Sequence, residues 1–292
     1  MSLREGRVEA PAKRRYSLAH LTVIELAPPE AVSCAAAAGF DLLDLRLQPV
    51  VPTDVLYPVF GDTQMRRDLM RRLDDTGMRI FDVELLRLTR NSDRGEHIRL
   101  FEVAAHIGAS HVKLACAEED EHVAADLVAR AAEQAADFEI HVDLEFMPFS
   151  GIKTVEAAVR VVTASGAGNA GVLIDALHLH RSGGKIAAIR DIPPALLSYV
   201  HLCDAPIEMP PDLDAIMMEA RVARLIPGDG GLHLAELMSA LPRDAVVSLE
   251  LPMKEMAARV PAIERARLAL AGAQRIVARA EMMPHAFDLR SS

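Results

Sequence analysis

The sequence predicts an α/β chain folded as a TIM (β/α)8 barrel, and three observations lead there. A unit recurs in which a helical stretch ends at a glycine and a short run rich in Val, Leu and Ile follows, as in Ala35–Gly39 before Asp41–Leu47, Leu73–Gly77 before Arg79–Leu85, and Ala104–Gly108 before His111–Ala115. Glycine just past a helix C-terminus takes the left-handed conformation without a Cβ clash, so each unit reads as helix, cap, strand, and strands alternating with helices imply a parallel sheet. The second observation is the count, since eight such units in about 250 residues is the size of a closed barrel. The third is that the strands carry charge on every second residue, where strands buried on both faces of an open sheet would be continuously apolar.

In chain order, strands are expected at Ser17–Ile24, Leu42–Leu47, Arg79–Leu85, His111–Ala115, Ile140–Phe146, Val172–Asp175, Leu197–Leu202 and Val246–Leu251. Helices are expected to follow them, among them Asp62–Asp75, Glu96–Ile107, Glu121–Ala136, Thr154–Ala164 and the long Lys254–Ala280. An open doubly wound sheet would need a glycine-rich phosphate turn after its first strand, and Pro28-Pro29 stands there instead. Within the strands Asp44 and Arg46 alternate with Leu43, Leu45 and Leu47, Asp82 and Glu84 with Phe81, Val83 and Leu85, and Asp143 and Glu145 with Val142, Leu144 and Phe146. The apolar set must meet the helices, so the polar set faces the lumen and has to be paired there or bound to a ligand.

The chain of 292 residues is read as one barrel domain, 1–292, with 1–15 as a flexible N-terminal extension. Acidic residues outnumber basic ones 42 to 32, a net charge of −10 that opposes binding to a phosphate backbone, so nucleic acid is not an expected partner. No apolar run approaches the roughly 20 residues that span a bilayer, and the charged N-terminus has no signal-like apolar core, which points to the cytoplasm and away from a membrane. The cysteines, Cys34, Cys116 and Cys203, are far apart and read as reduced structural thiols.

Barrel active sites lie at the C-terminal ends of the strands. The last inward polar residues of the final four strands are Glu145, Asp175, His201 and Glu250. Neighbouring strands are about 5 Å apart, so the four side chains can converge on one point, where three carboxylates and an imidazole repel unless a cation joins them. Such donors suit Mn²⁺, Mg²⁺, Co²⁺ or Zn²⁺. The apolar neighbours of Glu145 and Glu250 are expected to raise their basicity. Lys113 and Glu84 read as a structural lumen pair, Arg224 as either a site residue or a surface partner of Asp204 or Glu219, and Lys13-Arg14-Arg15 as solvated.

At these residues the chain resembles the xylose isomerase-like TIM barrels, a superfamily of sugar phosphate isomerases and epimerases, over roughly Tyr16 to Ala280. The resemblance implies one divalent metal, Mn²⁺ first among the candidates, on Glu145, Asp175, His201 and Glu250, and a proton-transfer pair in Glu145 and Glu250. The Asp175-x-x-His178 spacing and Arg224 ahead of Leu225–Gly230 match the family's substrate-contacting positions. The implied reaction is isomerisation or epimerisation of a sugar or polyol ketone by proton abstraction next to a carbonyl, through a metal-stabilised enediolate. The partner is then a carbohydrate-like small molecule, and a homo-oligomer is compatible with the family. A lyase of the dehydroshikimate dehydratase or C-glycoside deglycosidase type shares the first step, and a non-catalytic metabolite-binding barrel is the remaining alternative. Endonuclease IV-like cleavage needs many more histidine ligands and a basic groove, which this sequence lacks.

Overall fold

The structure, a computed structural model, describes residues 14–49 and 55–284. Eight parallel strands close into a barrel in sequence order, β1 pairing with β8. They are β1 (Tyr16–Ala19), β2 (Leu42–Arg46), β3 (Arg79–Leu88), β4 (His111–Cys116), β5 (His141–Glu145), β6 (Ala170–Asp175), β7 (Tyr199–His201) and β8 (Val246–Leu249). A large core of leucine, valine and alanine fills the space between the barrel's outer face and the surrounding helices. No helix among the described residues is long and apolar enough to cross a membrane.

Helix ends follow local chemistry. Thr63 and Thr154 accept from the backbone N–H groups of Arg66 and Ala157, capping the helices Gln64–Thr76 and Val155–Ser165. These two helices therefore start two residues and one residue later than the sequence predicts, because the capping residue itself stays extended. Gly39, Gly77 and Gly166 end helices at φ of 92°, 68° and 67°, the role assigned to the first two from sequence. The long helix expected from Lys254 is broken, with Lys254–Ala257 and Ala262–Glu281 separated at Pro261, whose ring cannot continue a helix begun before it.

Three differences from the sequence reading bear on the lumen. The first strand stops at Ala19, and His20–Val23 turn into a short 3₁₀ helix. Side-chain bonds hold that turn in place, His20 Nε2 lying 2.9 Å from the Leu26 carbonyl and Thr22 donating to the Leu249 carbonyl at 2.7 Å. The third strand continues to Leu88, and its register shifts against both neighbours. Phe81, expected among the helix-facing residues, consequently packs with Leu42, Leu173, Tyr199 and Val246 as an apolar plug at the barrel floor. Of the expected flexible extension, residues 1–13 lie outside the described residues, but Arg14 is not solvated. It is buried and donates to the Met238 carbonyl at 3.1 Å, so it belongs to the barrel.

Glycine at position 171 is required by close approach. A Cβ there would stand 2.6 Å from Asp143 Oδ1 and 3.0 Å from a ring carbon of His141. Gly171→Ala is expected to destabilise the fold by about 1–3 kcal/mol, as overpacking does, seen as a lower urea midpoint with an unchanged slope.

Candidate active site

Strands β5, β6 and β7 end on Glu145, Asp175 and His201, and Glu250 follows β8 directly. All four side chains are buried, and one ligand atom from each lies within 4.8 Å of the others. His201 Nδ1 stands 3.4 Å from Glu145 Oε1, 3.6 Å from Glu250 Oε2 and 3.8 Å from Asp175 Oδ2. These separations are long for hydrogen bonds but close to the roughly 3–3.5 Å expected between atoms that share one ion at about 2.1 Å. Both ring nitrogens of His201 and Glu145 Oε1 are buried without a hydrogen-bond partner.

The charge balance differs from the sequence reading, which left the carboxylates needing a metal to coexist. Lys113, on β4, reaches Glu250 Oε1 at 2.9 Å, Glu84 Oε2 at 3.4 Å and Glu145 Oε2 at 3.6 Å. The expected Lys113–Glu84 pair is therefore one arm of a larger cluster. Arg224 is neither a surface residue nor a partner of Asp204 or Glu219. It is buried, its Nη1 donating to Asp175 Oδ2 at 2.6 Å and its Nη2 lying 2.9 Å from Glu250 Oε2. Burial opposes the charge of His201, yet Glu250 above all holds the imidazole protonated, pushed up to about 10. Burial likewise works against ionised Glu145 and Glu250, but Lys113 outweighs it and both carboxyls sit below the usual range. The expected gain in basicity from apolar neighbours is thus reversed by the buried cations.

Asp175 also caps the helix Ala176–Arg181, accepting from the His178 backbone N–H at 2.9 Å. That cap places the His178 ring in the site. The ring meets Phe149 edge-on at 5.4 Å, its Nδ1 is buried without a partner, and burial lowers its proton affinity, so it presents a neutral imidazole. Asp204, just beyond β7, ties down the following loop, accepting from Ala205 and Leu232 through Oδ1 and from Gly228 through Oδ2, at 2.9, 3.0 and 2.9 Å.

Above the cluster opens a cavity of about 720 Å³ whose wall includes Lys113, Glu145, His178, Arg224 and Glu250. Met147 and Phe149 line it. Three arginines that the sequence did not single out as site residues, Arg46, Arg87 and Arg221, also line the wall. Arg46 pairs with Glu84 at 3.2 Å, while Arg87 and Arg221 are exposed. Arg87 was hidden because its strand runs three residues past the expected end at Leu85.

Residues 32–276 match the model of the xylose isomerase-like TIM barrel family. The chain belongs to that family. A 3-dehydroshikimate dehydratase of Pseudomonas aeruginosa is 28% identical over 228 residues, covering 72% of this chain and 33% of the relative. This chain thus spans about a third of the length of that relative. The solved structure of IOLI protein with a binding zinc atom superposes with a TM-score of 0.78 at 19% identity, covering 92% of this chain and 100% of the other. A D-allulose 3-epimerase from Methylomonas sp. superposes with a TM-score of 0.64 at 16% identity, covering 91% and 99%. At these identities the superpositions establish the fold.

Removing the central ammonium tests the charge balance. Lys113→Met is expected to cost about 3–5 kcal/mol, the usual cost of breaking a buried ion pair from one side. A divalent cation should restore part of the loss, seen in melting curves with and without Mn²⁺.

Proposed function

We propose that this chain is a divalent-metal-dependent isomerase or epimerase of a sugar or polyol ketone, acting by proton abstraction next to a carbonyl. The observation that carries the reading is the geometry at the cavity base, where Glu145, Asp175, His201 and Glu250 stand at ion-sharing separations with His201 unsatisfied. The donor set of three carboxylate oxygens and one imidazole nitrogen fits a single hard or borderline divalent ion, with Mn²⁺ the first choice and Mg²⁺, Co²⁺ or Zn²⁺ alternatives. When bound, that ion would polarise the substrate carbonyl and offset the negative charge that develops on its oxygen.

The protein's own groups divide the remaining work. Glu145 is the freer of the two glutamates, since Oε1 has no hydrogen-bond partner and Oε2 is 3.6 Å from Lys113. It is the base that takes the proton. Glu250 is gripped through both oxygens by Lys113 and Arg224, which fixes its direction and makes it the group that moves a proton on the other side of the substrate. Arg224 spends its donors on Asp175 and Glu250, so it acts as a positioning residue within the site. His178, neutral and with a free Nδ1 in the cavity wall, bonds a substrate hydroxyl.

A second reading, a dehydratase, is favoured by the named activity of the Pseudomonas relative and by Arg46, Arg87 and Arg221 in the cavity wall. Guanidinium groups recognise carboxylates, so an acidic substrate suits that wall better than a neutral ketose. The two readings part after the first proton transfer. Incubation of candidate ketoses, inososes and 3-dehydroshikimate with Mn²⁺-loaded protein in D₂O, followed by mass spectrometry, is expected to show deuterium in substrate and product of unchanged composition. A product lighter by one water selects the dehydratase, and a protein that carries no metal and is indifferent to chelators rejects both.

Two substitutions assign the roles. Glu145→Gln is expected to lower turnover by at least about 10²-fold with the fold intact. His178→Ala is expected to lower kcat and raise KM while metal content, read by elemental analysis, is retained.

A further inference from the structure

At the opposite end of the lumen lies a second cluster that the mouth chemistry does not use. Strands β4 and β5 open on His111 and His141, which face each other in register, and Asp143 is the next inward residue on β5. The Nδ1 atoms of both histidines converge on a single oxygen, Asp143 Oδ2, at 2.7 and 3.2 Å. Asp143 is fully buried, and its other oxygen, Oδ1, has no hydrogen-bond partner. Space beside this carboxylate is kept open by Gly171, the position where a Cβ would strike both Oδ1 and the His141 ring. The histidine side chains remain 15% and 24% exposed, so solvent reaches the cluster, and none of the three residues lines the mouth cavity.

We propose that His111, His141 and Asp143 form a second divalent-metal site at the barrel floor, suited to a borderline ion such as Zn²⁺ and independent of the mouth. Two imidazole nitrogens and one carboxylate oxygen are ordinary zinc donors, and three protein ligands leave a fourth position for water. Atoms bound tetrahedrally at about 2.1 Å lie about 3.3 Å apart, so the 3.2 Å pair already fits and the 2.7 Å pair must open by about half an ångström. The His111 ring, 15% exposed and packed on Phe81 at a centroid distance of 4.4 Å, is the one that would have to shift. All three ligands stand on rigid strands, which is the support a preformed metal site needs.

The test is Zn²⁺ stoichiometry on the full chain, stripped with chelator, reloaded and passed through gel filtration before elemental analysis. Two equivalents per chain are expected for the wild type. One is expected for the double variant His111→Asn with His141→Asn, which should keep its circular dichroism, and one for His201→Asn, which removes a mouth donor instead. A double variant that holds as much zinc as the wild type overturns the proposal, whereas a His201→Asn variant that holds as much as the wild type bears only on the mouth. Zinc-edge anomalous diffraction from wild-type crystals gives an answer that does not depend on any variant folding. A peak between the two Nδ1 atoms supports the site, and a peak at the mouth with none at the floor shows that the cluster is a hydrogen-bonded latch.

Discussion

The lumen of this barrel is organised around one ammonium group. Lys113 stands within 3.6 Å of three carboxylates from three other strands or strand ends, Glu84, Glu145 and Glu250, and is itself almost wholly buried. Taking an ammonium out of water costs several kcal/mol, and the attraction of the carboxylates offsets that cost only because they come from opposite sides of the barrel. Arg46 and Arg224 extend the scheme, the first to Glu84 and the second to Asp175 and Glu250. Lys113, Arg46, Arg224 and His201 thus stand among the carboxyl groups Glu84, Glu145, Asp175 and Glu250, with Asp44 and Asp82 also buried in the lumen. The mouth carboxylates therefore have cationic partners of the protein's own.

This balance changes which observation argues for a metal. Repulsion among the acids does not, because their neutralising partners are built in. The spacing does. His201 is surrounded at 3.4–3.8 Å by three oxygens and bonds well to none of them, whereas two of the same oxygens, Asp175 Oδ2 and Glu250 Oε2, contact Arg224 at 2.6 and 2.9 Å. A packed interior seldom leaves polar atoms at such intermediate distances without a reason.

The barrel and its four converging residues were legible in the sequence because both rest on short-range regularities. Glycine after a helix marks each unit, alternation marks the inward face, and the last inward residue of a strand marks the site. What the sequence concealed depends on contacts between residues far apart in the chain. Arg224 could be heard equally as a partner of Asp204, Glu219 or the site, since only the closed barrel brings it to Asp175, 49 positions away. Arg87 was lost with the last turns of a strand whose extension is fixed by pairing with β4, and Phe81 changed faces because register shifts leave no trace in an alternating pattern. The basicity of Glu145 and Glu250 was misjudged for a related reason, since adjacent residues are apolar and the deciding charges arrive from other strands.

Asp204 has a bearing on recognition. Its carboxylate holds Ala205, Gly228 and Leu232 by their backbone N–H groups, and a short antiparallel bridge joins Asp204 to Leu225. The loop that follows β7 is thereby knotted to the barrel before any ligand arrives. The rim also carries long exposed arginines, Arg87 near the end of β3 and Arg221 on the helix Leu213–Val222, each with several rotatable bonds to freeze. Ordering those side chains carries an entropic cost that the tied backbone of the loop does not. The wall of the cavity thus combines a backbone fixed in advance with guanidinium arms that are free to move.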